Sequence, residues 1–452
     1  MEKNKQSSTD LTSGNPLLQI FLFALPLIFG TLFQQLYSFA DTVMVGRFLG
    51  VDALAAVGST YSLHFLTLGF VQGACIGFGI PIAQSFGAKD MDDLHRYLWN
   101  GFWLCCLMTV LFTCGMLLLA TPLLRLMHTP EDIFSMAACY IQIIFLGIPA
   151  SILYNYSSSV LRAIGDSKHP FYFLLFSSIL NIALDYVFLV PLQMGIGGAA
   201  WATILSQLVS ALLNIWWLFF HVSLIRIQKQ DFALSKQHAK QLCFIGLPMG
   251  FEYSVSAIGA VVMQNAINRL GSAAVAAQTA GEKIRQMFTL PMESVGMAMA
   301  TYTGQNYGAK KLDRIHSGIR NGLLIQAVYC VFAWIALFFL KRPLVYFVLG
   351  DTSVEVSTLA VQYLTLISTL FIIHGSLMIF RNVLQGLGYS IPAILSGIGE
   401  LLGRAFGGWL ALHGFGFPAI CYANPLAWGF ALCYCVFMVR KILISKQKKG
   451  IS

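Results

Sequence analysis

Apolar runs of about twenty residues or more, separated by short polar or Gly- and Pro-bearing breaks, recur from Leu17 to Arg440. A helix of that length crosses about 30 Å of hydrocarbon, and the pattern predicts twelve of them. In the first half they run Leu17 to Gly46, Leu54 to Ile80, Leu94 to Ala120, Met136 to Leu161, Pro170 to Val190 and Gly198 to His221. In the second half they run Gln241 to Asn268, Ala274 to Ala300, Ile315 to Leu340, Val356 to Asn382, Pro392 to Leu412 and Phe417 to Arg440. The chain therefore reads as an all-α polytopic membrane protein. Its most polar long connection, residues 221–240 with Arg226, Lys229, Asp231, Lys236 and Lys240, predicts a cytoplasmic linker between an N-terminal lobe, residues 1–220, and a C-terminal lobe, residues 241–452.

The halves repeat one another. Phe86-Gly87-Ala88-Lys89 matches Tyr307-Gly308-Ala309-Lys310 at an offset of 221, and the same offset carries Asn100-Gly101 onto Asn321-Gly322. Leu25-Pro26 meets Leu247-Pro248 at 222, and Val160-Leu161 meets Val383-Leu384 at 223. Shared apolar bias scatters matches but does not hold a register across loops. Six crossings return the chain to its starting face, so two six-helix copies are parallel, an arrangement that some transporters use for two rocking lobes.

Composition sharpens this picture rather than redirecting it. The chain is 57% hydrophobic and 10% charged, against about 25% charged in soluble domains. The net charge of +9 would suit a nucleic-acid partner, but the basic residues collect at alternate helix ends, which is a topology signal. One face takes twenty, including Lys3, Lys5, Lys89, Arg96, Arg162, Lys168, Lys310, Lys311, Arg314, Arg381 and Lys449. The other takes five: Arg47, Arg125, Arg269, Lys341 and Arg342. Both termini are expected in the cytoplasm, with no nucleic-acid partner. None of the ten cysteines forms a CxxC pair, and they read as packing residues. The first apolar stretch reads as an uncleaved helix. No Walker A sequence, HExxH or redox motif appears, so the energy for any transport is expected from an ion gradient, with no cofactor and no enzymatic activity.

Six carboxylates interrupt the spans: Asp41, Asp185, Glu252, Glu282, Glu293 and Glu400. A charge at membrane depth costs about 3 kcal/mol or more and usually does work there. Glu400 has Arg404 four residues on and Glu282 has Arg285 three on, spacings that permit internal neutralisation. Asp185 instead has Asn181 at i−4, a neutral oxygen donor. Asp185 lies six residues before Pro191 and Asp41 six before Arg47, each at the outer end of its helix, so both sit about 9 Å below the boundary. Two carboxylates at matched depth repel when ionised, which calls for a bound cation or a proton. Na⁺ at Asp41, Asn181 and Asp185 suits the oxygen donors, and H⁺ suits buried carboxyls. The second lobe lacks the pair, since position 41 registers near Val262 and Met263. There Glu252 reads as a carboxylate that attracts a cationic substrate, with Gln34, Tyr37 and Gln264 as further cavity-lining candidates.

Asp41-Thr42-Val43-Met44-Val45-Gly46-Arg47 with Ala53-Leu54-Ala55-Ala56-Val57-Gly58, Leu161-Arg162-Ala163-Ile164-Gly165-Asp166 before Pro170, and Gly304-Gln305-Asn306-Tyr307-Gly308-Ala309 together resemble the multidrug and toxic compound extrusion family. The likeness spans about Leu17 to Arg440. It implies a cation or proton site in the N-terminal lobe at Asp41, Asn181 and Asp185, with Tyr140, Asn155 and Thr203 contributing. Each addition has an ordinary alternative. Tyr140 suits an interfacial anchor, Asn155 opens an Asn-Tyr-Ser sequon, and Thr203 is placed to bond its own helix. Family members with a C-lobe cation site place acids on the seventh and tenth helices, whereas the tenth here offers His374 and no acid. The expected function is an alternating-access antiporter, acting as a monomer in the lipid of a bacterial plasma membrane and exporting amphipathic organic cations or drugs in exchange for Na⁺ or H⁺. The second reading is a lipid-linked glycan or lipid flippase of the same superfamily, which calls for several basic residues in its cavity.

Overall fold

The computed structural model describes residues 10–222, 224, 232–350 and 353–448. Lys3, Lys5, Arg226, Lys229, Asp231, Lys449 and the side chain of Val262 lie outside the described residues. Fourteen α-helices and no strand are found among the described residues: α1 Pro16–Leu49, α2 Val51–Ala88, α3 Met91–Leu126, α4 Glu131–Leu146, α5 Ile148–Ala163, α6 Lys168–Leu189 and α7 Ile196–His221, then α8 Lys236–Asn268, α9 Ser272–Gly308, α10 Leu312–Leu349, α11 Val354–Thr369, α12 Phe371–Gly386, α13 Ser390–Leu410 and α14 Gly416–Lys448.

By length and apolarity, α1, α2, α3, α6, α7, α10 and the α13–α14 stretch each qualify to cross a membrane, and α4 with α5 and α11 with α12 qualify as bent pairs. Helix α9 falls short because it carries Glu282, Lys283, Arg285 and Glu293, and side chains in part of α8 lie outside the described residues. With α13 and α14 as separate spans, the protein has twelve transmembrane helices in two parallel, pseudo-repeated six-helix lobes. Large apolar side chains cover the outside, among them Leu118 at 78% exposure and Phe339 at 72%, a pattern that suits lipid and not water.

The spans expected as single helices over Met136 to Leu161 and Val356 to Asn382 are each broken, by 44° at Gly147 and by 50° at Leu370. Pro149 accounts for the first break, because its ring clashes with the preceding turn and it offers no N–H. No glycine or proline marks the second, where the Leu370 N–H closes a tighter turn on Ile367. The positions differ by 223, so the break itself belongs to the repeat. Backbone geometry repeats as well. Gly50 and Gly271, both with positive φ, precede α2 and α9, and Lys89 and Lys310 are both left-handed at φ 59° and 58° after the matched Gly-Ala turn.

The chain forms two compact units that do not coincide with the sequence repeat. One holds Phe29–Gly250, the other Leu11–Ile28 with the chain from Phe251 onward. Each crossover falls two residues beyond a matched proline, Pro26 in α1 and Pro248 in α8. In the first unit α8 meets α2 where side chains are missing, and a Cβ on Gly73 or Gly77 would collide with the main chain at Met249 or Gly246. In the second, Gly403 and Gly407 of α13 admit Ala427 and Ala423 of α14 in the same way.

A polar clasp closes one end of each unit. Asn100 Oδ1 accepts from the Ser235 N–H at 2.9 Å, and Tyr97 donates to Gln241 at 2.6 Å. In the second unit Gln305 Oε1 accepts from the Leu11 N–H at 3.0 Å, and Asn306 donates to the Leu11 carbonyl at 3.1 Å. Arg314 donates to the carbonyls of Leu11, Ser13 and Gly14 and to Gln19 Oε1. These contacts explain why Gln305 and Asn306, at 0% exposure, sit in the resemblance motif.

Candidate functional site

The first unit carries two polar stripes on otherwise apolar helices. On α1, Gln34, Tyr37 and Asp41 follow one another at intervals of three and four residues, and on α6 Ser177, Asn181 and Asp185 do so at intervals of four. Such spacings place each set on one helix face. The faces converge: Asp185 lies within electrostatic range of Asp41, and the buried Tyr140 of α4 within range of Asp41, Asp185 and Tyr37. Helices at matched depth thus bring the two carboxylates within electrostatic range of one another.

Asn181 and Asp185 are 1% and 0% exposed, yet neither Asp185 oxygen, neither Asn181 amide atom nor Asp41 Oδ1 has a hydrogen-bond partner. A buried polar atom left unpaired costs about 1–3 kcal/mol, more if charged, so a group of five is an expensive arrangement unless a ligand completes it. All the charge is negative and the remaining atoms include an amide oxygen. This donor set suits a hard monovalent cation or a shared proton.

Beyond the acids the stripes border a small pocket lined by Gln34, Tyr37, Tyr154, Leu174, Ser177, Ser178, Asn181, Ser206, Gln207 and Ser210. Gln34 and Gln207 flank the Tyr37 hydroxyl. Sequence reasoning selected Gln34, Tyr37 and Asn181 but missed the serines and Gln207. Their signal was present, since Ser177 and Ser178 precede Asn181 by about one turn and Ser206 and Gln207 follow Thr203 by about one turn.

The remaining candidates take other roles in this structure. Asn155 donates to the Ser151 carbonyl at 2.8 Å and Thr203 to the Ala199 carbonyl at 3.2 Å, both within their own helices. Gln264 is exposed and donates to Asn268 at 2.9 Å, and it belongs to the second unit. Glu252, also in the second unit, pairs with Arg381 at 3.2 Å and accepts from Gln385 at 2.8 Å.

Arg381, expected among the cytoplasmic cations, is instead 6% exposed and links Glu252 to Glu400. Helix α12 continues to Gly386, so Arg381 lies inside the helix and not at its end. The neighbouring pairs follow the spacings read from sequence: Arg404 with Glu400 at 3.1 Å and Arg285 with Glu282 at 2.6 Å. Asn424 ties them together, donating to Glu282 at 2.7 Å and accepting from Arg404 at 3.1 Å.

Comparison with known proteins bears on the family and the fold. A profile of the MatE family matches residues 26–187 and again 248–407, which is the internal repeat recovered independently. The Probable multidrug resistance protein YpnP of Bacillus subtilis is 31% identical over 310 residues, 68% of each chain. The Multidrug export protein MepA of Staphylococcus aureus is 22% identical over 382 residues, 83% of each chain. Among solved structures, an outward-facing conformation of a multidrug resistance MATE family transporter of the MOP superfamily superposes with a TM-score of 0.92 at 22% identity, covering 99% of this chain and 100% of that one.

Proposed function

Because the chain belongs to the MatE family of multidrug and toxic compound extrusion transporters, we propose that it is a secondary antiporter that exports amphipathic organic cations in exchange for Na⁺ or H⁺. The observation that carries the reading is the group of unpartnered buried atoms on Asp41, Asn181 and Asp185. A cation or proton arriving there relieves repulsion between two carboxylates and supplies the missing partner of several oxygens at once. Its departure restores the strained state, so occupancy is able to bias a two-state carrier. Pro26, just over four turns before Asp41 on the same helix, lies next to the crossover between the compact units and is the natural bending point for that bias.

The chemistry favours the cation reading over the lipid-flippase one. Lipid phosphate calls for several free guanidinium or ammonium groups, whereas Arg285, Arg381 and Arg404 are each held by an acid and Lys283 alone of these four is exposed. Both lobes needed for rocking lie in one chain, which supports action as a monomer. The basic bias supports cytoplasmic termini in the plasma membrane, and the relatives named above are bacterial multidrug proteins.

The test is efflux of a fluorescent organic cation from proteoliposomes under imposed Na⁺ and H⁺ gradients in turn. Wild type is expected to respond to one of them, and Asp41→Asn and Asp185→Asn to respond to neither. Transport that ignores both gradients removes the antiporter reading. Retained coupling in both variants moves the ion site elsewhere.

A further inference from the structure

The first unit leaves more polar atoms unpartnered than its acid site accounts for. Helices α6 and α7 run antiparallel, and the His169 ring of α6 stacks on Trp217 of α7 with centroids 3.7 Å apart, which sets their register. That register puts Ser177 and Ser178 level with Ser210, and Asn181 level with Ser206 and Gln207, and these residues do line one small pocket. Further along α7 the row continues. The Ser210 hydroxyl, the Asn214 amide oxygen and the Trp217 indole N–H follow one another at intervals of four and three residues, all buried and all without a hydrogen-bond partner. Such intervals keep them on one helix face. Together with the unpartnered atoms of Asn181 and Asp185 they form a line that ends at His169, sixteen residues and about 24 Å from Asp185 along α6.

The groups beside this line are set to receive protons in hydrogen bonds. Ser177 and Ser178 donate to the Leu174 carbonyl at 3.0 and 2.8 Å and Ser206 to the Thr203 carbonyl at 2.9 Å, so each keeps its lone pairs for another donor. Asn214 donates to Ser158 of α5 at 2.9 Å, which fixes its amide. At the far end His169 Nδ1 lies 2.6 Å from Asp166 Oδ2, while Asp166 Oδ1 accepts from the Lys168 and His169 N–H groups at 3.1 Å. The carboxylate thus fixes the ring and leaves Nε2 to exchange. The His169 side chain is 23% exposed, and Trp217 stacks in turn on His221 at 4.1 Å, so flat rings cover the mouth of the line. The counterpart in the second unit is sealed. Glu400 and Arg404, which register on Asn181 and Asp185 at an offset of 219, pair with each other, and Gly403 and Gly407 press on Ala427 and Ala423 where a Cβ would collide. Among the described residues of α13 and α14, Ser390 Oγ, at the very start of α13, is the one buried side-chain atom without a partner.

We propose that the α6–α7 line binds a file of water that carries protons between the acid site and the cytoplasmic end of the first lobe, with His169 as the last carrier. Buried water settles where polar groups lack other partners and makes about three hydrogen bonds to them. A proton leaving the acid site passes to the first water and moves on as each water gives up one proton and takes another. It reaches Nε2 of His169 and is released to the cytoplasm. Water, hydroxyl and imidazole both donate and accept, as a relay requires, while the Asn214 amide and the Trp217 indole hold water in line. A metal cation needs a shell of oxygens at one level, which single groups a turn apart do not offer, and the stacked rings close the mouth to hydrated ions. The inference rests on the antiporter reading and the topology above and deepens them. It names H⁺ as the coupling ion and gives it an inward branch apart from the path of the substrate.

The test uses full-length protein in proteoliposomes, with a trapped pH dye reporting proton flux while efflux of a fluorescent organic cation is read in parallel. Asn214→Leu keeps the bulk of the side chain and removes the amide, and His169→Phe keeps the stack on Trp217 and removes both ring nitrogens. Each is expected to slow coupled proton flux about tenfold and to leave Kd for the organic cation within about twofold of wild type. Because the slowed step is proton transfer, the solvent isotope effect on flux in D₂O should rise above that of wild type in both. Asn214→Ser, which returns a hydroxyl and leaves room for one more water, should recover most of the flux. Wild-type flux in both variants, or a loss of flux with no rise in the isotope effect, overturns the proposal. Should Asn214→Leu fail to fold, His169→Phe in the first turn of α6 decides alone. Efflux driven by Na⁺ without proton movement also overturns it and leaves the antiporter reading standing. Efflux that ignores both gradients defeats that reading, and the inference falls with it.

Discussion

The two lobes carry the same helices, the same broken spans and the same left-handed lysine turns, yet they treat buried charge in opposite ways. The first leaves Asp41 and Asp185 without a cationic partner and surrounds them with neutral oxygens. The second binds Glu252, Glu282 and Glu400 to three arginines. A carboxylate that already holds a guanidinium has little to gain from an arriving ion, whereas one without a partner gains a great deal. The repeat thus keeps the scaffold while the buried charge differs, unpartnered in the first lobe and paired in the second.

Four substitutions sharpen or break this contrast. The largest effect on transport is expected from Asp185→Asn, which removes half of the proposed ion site. Ion-driven efflux should fall at least about a hundredfold, a loss of about 2.7 kcal/mol of transition-state stabilisation, while thermal stability holds or rises because a costly buried charge is gone. A variant with normal coupling would show that the two acids are structural. The largest effect on stability comes from Arg381→Gln, which strands Glu252 and Glu400 and should cost about 3–5 kcal/mol, seen as a clear fall in melting temperature in detergent. If stability is unchanged but coupling is lost, the lobes have the reverse roles. Glu252→Gln should do much less, about 1 kcal/mol, because Arg381 keeps Glu400 and Gln385 retains an amide partner. Its gradient dependence should match wild type, and loss of coupling would place an ion site in the second lobe. The smallest effect belongs to Thr203→Val. Since the hydroxyl bonds the Ala199 carbonyl of its own helix, efflux should stay within about twofold. A larger drop would bring Thr203 into the ion shell.

Local spacing explains what could be read from the sequence. The twelve spans, the repeat, and the pairs Glu400 with Arg404 and Glu282 with Arg285 all depend on residues close in sequence or on a constant register. Asp41 with Asp185 was legible because depth below a helix end is also a local measure. Arg381 was not, since its partners lie 129 residues before it and 19 after it, and a helix end misplaced at Asn382 made it look like a surface cation. Glu293 was visible as an acid, but its lack of a guanidinium partner is evident only once every arginine nearby is seen to be taken. Serines at 177, 178, 206 and 210 passed as ordinary helix residues because a hydroxyl adds little polarity to an apolar run.

Arg314 holds the stretch from Leu11 to Gly14 mainly through carbonyl oxygens of the backbone. Such a grip is indifferent to side-chain identity but absolute about chain length. The exposed Ser13 should therefore tolerate substitution, whereas Leu11, wholly buried, and Gly14, at φ 78°, should not, and fusions should be accepted ahead of Asp10. Deletion through Gly14 should expose a guanidinium and two amide side chains with nothing left to hold, and so sets the shortest version of this protein that can be made.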